Sequence, residues 1–587
     1  MKITGEITLF AAIGLLFGGI FFRQIVRSHF DLLLGDVGDA RLNMVILEHW
    51  WQVLQGTARW LSPPFLFPVQ GVLGYSDAGF LNALPYSFLR FLGINPFSSY
   101  QSVLFASVAV GWIGTVLFLR YCLKLRMVPA ITGAALFVFP NSMAVTASMH
   151  TQLFTVYYLP YLAIGIYLFL KNFAKATFVG AAAGIFVAVM APAIFYTEYY
   201  IGWFLMFFVL LSAGAGCVWS RIRSKDKVVR LSGIPGRENL KILLPYCALS
   251  AICFIPFLLT YVPVLIQYGS RSYQEISAML PSFIDYVNVG PNNRVWGKTL
   301  YSVFEGIGSR PMAHELIKGL PVGLLMTYLG FSAYYFRKTR HYRLAAAQNG
   351  FYEIIIDGRA ADGNEKLAVL AAGLSAVILL AWLLMLKIHG FSLWWLVSKL
   401  VPGAGAIRAV YRFQHMLAFP LAMVVAIGLH QVINCTAGRI QSVVKRGACF
   451  AATAVFCLLL LGEQFNTGSL ANYSKGQQQA MLAGISPPPP QAKIFAVLPD
   501  ERSRQFPCEA QLDAMLIAQK YNLCTINGYS GQFPPGWDGI FEVDKPAYAA
   551  SLKRWVQRYK LDTDQLYFLD LKTGSWLPAT NSHSPLF

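Results

Sequence analysis

Long apolar runs constrain this chain more than any other feature. A helix needs about 20 mostly apolar residues to cross a bilayer. On that rule the sequence predicts about 11 spans, at 7–25, 103–119, 128–145, 154–170, 178–194, 201–219, 242–265, 320–336, 367–386, 416–432 and 448–461. Composition agrees: 56% of the 587 residues are hydrophobic and only 13% are charged, where a soluble domain has about a quarter charged. The chain therefore reads as an α-helical polytopic membrane protein. Its net charge of +19 would suit nucleic acid in a soluble protein. Here the basic residues sit in short loops between apolar runs, so the positive-inside rule accounts for them and no nucleic-acid partner is implied.

The basic loops share one parity. Arg120, Lys124 and Arg126 follow the second run, and Lys171 and Lys175 the fourth. Arg221, Arg223, Lys225, Lys227, Arg230, Arg237 and Lys241 follow the sixth. Arg337, Lys338, Arg340 and Arg343 follow the eighth, and Arg439, Lys445 and Arg446 the tenth. This places the N-terminus and these loops in the cytoplasm. Segments 27–100, 267–318, 389–414 and everything after about 462 are then expected outside. The first run shows no small-residue cleavage site and reads as a retained helix.

Two domains are expected, a transmembrane unit 1–463 and an extracytoplasmic unit 464–587. The long outer loop 27–100 holds Trp50, Trp51, Trp60 and a Pro63-Pro64 pair. Its apolar stretch 80–92 is too short to span and suits an interfacial helix, as does 393–400. Beyond the stiff spacer 487–490, predicted strands 493–498, 523–526 and 565–569 alternate with predicted helices 509–520 and 546–559. That pattern implies a small α/β domain, with Asn527-Gly528 read as a turn. Cys508 and Cys524 lie in this tail, and both a disulfide and two free thiols fit.

Charge is scarce, so the acidic start of the long loop stands out: Gly35-Asp36-Val37-Gly38-Asp39-Ala40-Arg41-Leu42-Asn43. Carboxylates three apart share a helical face or point into one cavity. Such a pair serves as general base for a hydroxyl or holds a divalent cation, with Asp36 and Asp39 as its ligands. Asp39 also suits a helix cap. His150 stands in the next outer loop, with ligand, base and structural roles all open. Glu198, within Tyr196-Thr197-Glu198-Tyr199-Tyr200, is a second candidate catalytic carboxylate. Glu48-His49 reaches the same cavity or covers a solvated helix face, and Asp77 suits a turn. Arg408 and Arg412, four apart, are expected on one helical face, where they clamp a phosphate or snorkel to the interface.

The segment Asp39-Ala40-Arg41-Leu42-Asn43, just after the first span, resembles the first-loop acidic motif of GT-C glycosyltransferases. Three further elements resemble a bacterial GT-C-like branch. They are Gly35-Asp36-Val37-Gly38-Asp39, the run from Pro68 to Asp77, and the Arg408/Arg412 pair. The tail runs Leu512-Asp513-Ala514-Met515 and Asn527-Gly528-Tyr529-Ser530-Gly531 look similar too. The resemblance implies a GT-C-like bundle in a bacterial inner membrane, with a periplasmic tail. It implies an inverting transfer of a sugar from a polyprenyl-phosphate donor to a cell-envelope glycan or lipid acceptor, with Asp39 catalytic. Family members often carry a second acidic residue between spans three and four; here 141–152 holds His150 and no carboxylate. A transporter or flippase of a lipid-linked saccharide, and a non-catalytic partner in envelope glycan assembly, are the alternative readings.

Overall fold

The computed structural model describes residues 2–173, 177–223, 237–307, 314–346, 352–356, 359–439, 442–499 and 506–581. The basic-loop residues Lys175, Lys225, Lys227 and Arg230 lie outside the described residues. Among those described, ten helices are long and apolar enough to cross a membrane. They are Thr4–Phe21, Pro96–Cys122, Met127–Ala147, Thr151–Asn172, Phe178–Thr197, Tyr199–Ile222, Lys241–Tyr268, Gly363–Met385, Val410–Thr436 and Val444–Gly462. The remaining expected span, 320–336, is the 18-residue helix Val322–Thr339. Tyr328, Tyr334, Tyr335, Arg337 and Lys338 keep it less apolar than the other ten. It nevertheless lies in the bundle: Tyr328 donates to the Ser375 carbonyl at 3.2 Å, and the Ser332 hydroxyl donates to that of Ser375 at 2.9 Å.

Local chemistry starts several of these helices. Asn95 accepts from the Ser98 amide ahead of Pro96, Thr177 accepts from Gly180, and Asp362 and Glu365 form a reciprocal capping box. Each satisfies a backbone donor that the first helical turn leaves free. The span Val410–Thr436 is buried over 94% of its apolar window, and so forms the centre of the bundle.

The bundle has two unlike ends. At one, Arg120 pairs with Glu6 at 3.2 Å and Arg126 donates to Asn434 at 2.7 Å. At the other, strand Leu32–Leu34 runs antiparallel to Ala471–Ser474. Here also lie the helix Asp39–Leu54 and the short helices Phe80–Phe91 and Trp394–Leu400, close to the expected interfacial stretches.

The tail sheet has the order Ser575–Pro578, Leu566–Asp570, Ile494–Val497, Cys524–Thr525. The first pair is antiparallel and the other two are parallel. Helices Cys508–Tyr521 and Ala547–Tyr559 connect the strands, within a residue or two of their expected bounds. The edge strand is not left open, as an exposed edge invites pairing with other chains. Loop 64–67 runs along it: Thr525 donates to the Pro64 carbonyl at 2.8 Å, and Phe67 donates back to Thr525 at 2.9 Å. Asn527-Gly528 is therefore not a hairpin turn. Asn527 is fully buried, and its carbonyl accepts from Leu66 at 3.0 Å. Cys508 and Cys524 are separate, partly buried thiols.

Candidate active site

Gly35 sets the approach to the acidic segment. Its φ of +94° belongs to the left-handed region, and a Cβ there would run into the Ala40 methyl, so glycine is the residue that fits. The chain then turns through Asp36, whose Oδ1 accepts from the amides of Gly38 at 3.1 Å and Ala40 at 3.3 Å. Asp36 thus takes the capping work, and Asp39 opens the helix Asp39–Leu54 with its side chain free for other partners.

Those partners come from distant loops. Asp39 Oδ2 lies 2.8 Å from His150 Nδ1, and Tyr529 donates to Asp39 Oδ1 at 2.9 Å. The other nitrogen of His150, Nε2, lies 3.1 Å from Arg412 Nη2 and 3.2 Å from Glu315 Oε1. Nδ1 faces the Asp39 carboxylate and so carries a hydrogen toward it, while Nε2 lies between a donor, Arg412, and an acceptor, Glu315. Arg412 in turn grips both oxygens of Glu315 through Nε and Nη2. Fully buried Lys318 adds a bond to Glu315 Oε2 at 2.9 Å. The Arg412 guanidinium also lies over the Tyr200 ring, 5.1 Å from its centroid. Asn43 holds the two loops in register by donating to Thr151 at 3.1 Å and Gln152 at 2.9 Å.

The two aspartates are tuned in opposite directions. Burial and the neighbouring Asp39 charge push Asp36 up. Burial alone would raise Asp39 as well, but the His150 ring, the Tyr529 hydroxyl and the Arg412 charge outweigh it and hold the carboxyl below its ordinary value. Glu315 follows the same logic: burial opposes ionisation, while Lys318 and Arg412 keep it ionised far below the usual range. Asp39 is therefore the ionised, part-exposed carboxylate of the pair.

The other expected site residues are placed as follows. Asp77 accepts from the Tyr199 amide at 3.1 Å and Glu198 accepts from the Ile201 amide, so both serve the start of the helix Tyr199–Arg223. Glu198 is fully buried, and burial with the Asp77 charge pushes it well up; Asp77 is pushed up to about 6, first by burial. Neither carboxylate bonds to Asp39 or His150 in the described contacts. Glu48 binds Arg90 at 2.9 Å and Tyr86 at 2.6 Å, and buried His49 donates to the Trp60 carbonyl at 2.8 Å. Both residues are buried and tie the helix to its neighbours, so they do not cover a solvated face. Arg408 and Arg412 do not share a helical face. Residues 407–409 lie between two short 3-10 turns, which leaves Arg408 exposed and Arg412 buried.

Glu315, Lys318 and Tyr529 were missed as site residues. Their signal was faint: a Glu and a Lys three apart just before an apolar run, and a tyrosine in the Asn527–Gly531 stretch. A cavity of about 530 Å³ beside the Asp39 helix, lined in part by Glu48, Trp51, Arg90 and Gln519, holds none of the Asp39 cluster.

Asp36 Oδ1 accepts from two backbone amides and both oxygens of Asp39 accept hydrogen bonds, which leaves Asp36 Oδ2 as the oxygen of the pair most open to a cation. Among the described residues, no three His, Cys, Asp or Glu side chains converge as ligands.

No family model and no curated protein matches the chain. Solved structures do. Arabinofuranosyltransferase AftD from Mycobacteria is 13% identical over 84% of this chain, with a TM-score of 0.43. This chain spans only 29% of that protein's length. The archaeal oligosaccharyltransferase AglB from Archaeoglobus fulgidus, solved with an inhibitory peptide and a dolichol-phosphate, is 11% identical over 96% of this chain and 69% of its own, with a TM-score of 0.40. ArnT from Cupriavidus metallidurans is 11% identical over 89% of this chain and 86% of its own, with a TM-score of 0.35.

Proposed function

We propose that this chain is an integral membrane glycosyltransferase of GT-C type, acting on the periplasmic face of a bacterial inner membrane. Its donor is a polyprenyl-phosphate-linked sugar and its acceptor a cell-envelope glycan or lipid. The observation that carries this reading is the connected chain Asp39–His150–Arg412–Glu315, which sets an ionised carboxylate beside a buried arginine at the tail end of the bundle.

Asp39 takes the proton of the acceptor hydroxyl as its oxygen bonds to the anomeric carbon. The bond from that carbon to the phosphate oxygen breaks, and polyprenyl phosphate leaves with the electron pair. Arg412 meets the charge that develops on the phosphate. A single displacement inverts the anomeric centre. Nucleotide sugars are not available on this face, which favours a lipid-linked donor. The basic residues Arg120, Arg126, Arg337 and Lys338 cluster at the end away from the tail, which supports a cytoplasmic N-terminus and a periplasmic unit 464–587. A flippase would carry its charges at mid-membrane; here Asp39, His150, Glu315 and Arg412 gather at the tail end of the bundle.

The test is release of polyprenyl phosphate by the purified full chain in lipid nanodiscs, given a panel of undecaprenyl-phosphate sugars and envelope extract as acceptor. Release that needs both substrates and disappears in Asp39→Asn supports the assignment. Release that persists in Asp39→Asn sinks it.

A further inference from the structure

Tyr529 belongs to the tail, yet its hydroxyl donates to the carboxylate that opens the helix Asp39–Leu54. The tail is not resting there loosely. The fully buried Arg41 pairs with Asp513 of the tail helix Cys508–Tyr521. Gln519 of the same helix donates to the Val45 carbonyl at 2.7 Å, and Gln52 donates back to the Gln519 carbonyl at 3.0 Å. The Trp555 indole donates to the Phe67 carbonyl at 2.9 Å. Tyr529 is itself pinned, with its amide on Met515 Sδ at 3.2 Å and the Phe541 ring 6.4 Å from its own. Two fixed donors thus grip the two carboxylate oxygens, His150 from the bundle and Tyr529 from the tail. Asp36, Asp77 and Arg412 are further charged groups acting on Asp39.

A carboxylate held at both oxygens cannot rotate, and orientation of a base toward its proton is worth orders of magnitude in rate. We propose that Tyr529 is a positioning residue for Asp39, so that the tail completes the reactive centre. The proposal rests on Asp39 being the base. Its hydroxyl is the operative group, and the ring only carries it. The acceptor hydroxyl then meets Asp39 at a carboxylate already turned by the tail.

The experiment compares Tyr529→Phe and Tyr529→Ala in the full chain, reading kcat, KM for the donor, binding of undecaprenyl phosphate and melting temperature. The expected result is a roughly tenfold loss of kcat in Tyr529→Phe, with donor KM and undecaprenyl phosphate binding unchanged. Tyr529→Ala should lose no more than a few-fold further. A Tyr529→Phe enzyme with wild-type kcat overturns the proposal, because a packing role needs only the ring. Melting temperatures of Asp39→Asn, Tyr529→Phe and their double variant provide a second arm: non-additive shifts support the contact, and additive shifts count against it. An active Asp39→Asn enzyme would instead remove the functional reading itself, so the two failures are distinguishable.

Discussion

Asp39 Oδ2 and His150 Nδ1 stand 2.8 Å apart although 111 residues separate them in the chain. The imidazole comes from the loop 141–152, which holds no carboxylate of its own. Glu315 arrives from a third loop to meet its far nitrogen at 3.2 Å. The site therefore joins one carboxylate to another through a histidine and an arginine.

Removing the histidine should act on Asp39 through its pKa. Asp39 lies below its ordinary value, with burial opposing and the His150 hydrogen bond the first of the groups that overcome it. In His150→Gln the carboxyl rises toward the value that burial favours, so a higher pH is needed to ionise it. The acid limb of the pH profile of kcat/KM should move to higher pH, and loss of the contact that orients Asp39 should separately lower activity at neutral pH by about 10²-fold. The profile of polyprenyl phosphate release against pH measures this.

The two arginines should separate. Arg412→Lys keeps a charge but loses the planar fork that grips Glu315, so transfer should fall by on the order of 10²-fold. Arg408→Ala removes an exposed side chain and should stay within about twofold of wild type. Binding of undecaprenyl phosphate by native mass spectrometry, beside turnover, distinguishes the two.

Docking of the tail should depend on a buried ion pair. Asp513→Ala strands the Arg41 guanidinium, whose Nε and Nη1 already lack partners. The cost should be about 3–5 kcal/mol, seen as a lower melting temperature and faster proteolysis of the tail. The double variant Arg41→Met with Asp513→Leu should recover most of that loss, because it leaves no buried charge unpaired.

Acid should weaken the fold through His49. Burial, opposed by the Trp60 carbonyl, pushes its pKa down to about 4, against about 6.5 in the unfolded chain. Between those values the unfolded chain binds the extra proton, so stability is full above about pH 6.5 and falls as pH drops toward 4. Melting temperature should therefore fall between pH 7 and pH 5. His49→Gln should flatten that slope, with His314, also pushed down to about 4, supplying part of what remains.

The membrane class, the spans and the alternation of the tail were legible because each rests on short-range pattern. An apolar run of about 20 residues has one way to satisfy its backbone in lipid, and a strand–helix alternation is written in local periodicity. The helix Val322–Thr339 shows the limit: its tyrosines and terminal charges make it the least apolar of the bundle helices, and the neighbouring helix Gly363–Met385 holds it in place.

By itself, the sequence determined that an acidic segment would open the loop after the first membrane helix, and that alternating strands and helices would follow the last. It also left Arg408 and Arg412 as equals, and Asp36 and Asp39 nearly so. Tertiary structure decided between them. Asp36 caps its own turn, while Asp39 faces His150 and Tyr529, the latter 490 residues away. Arg412 is buried on Glu315, 97 residues distant, while Arg408 stays exposed. Contacts over such separations carry no periodic signature in the chain, because the residues that make them share no helix, strand or turn.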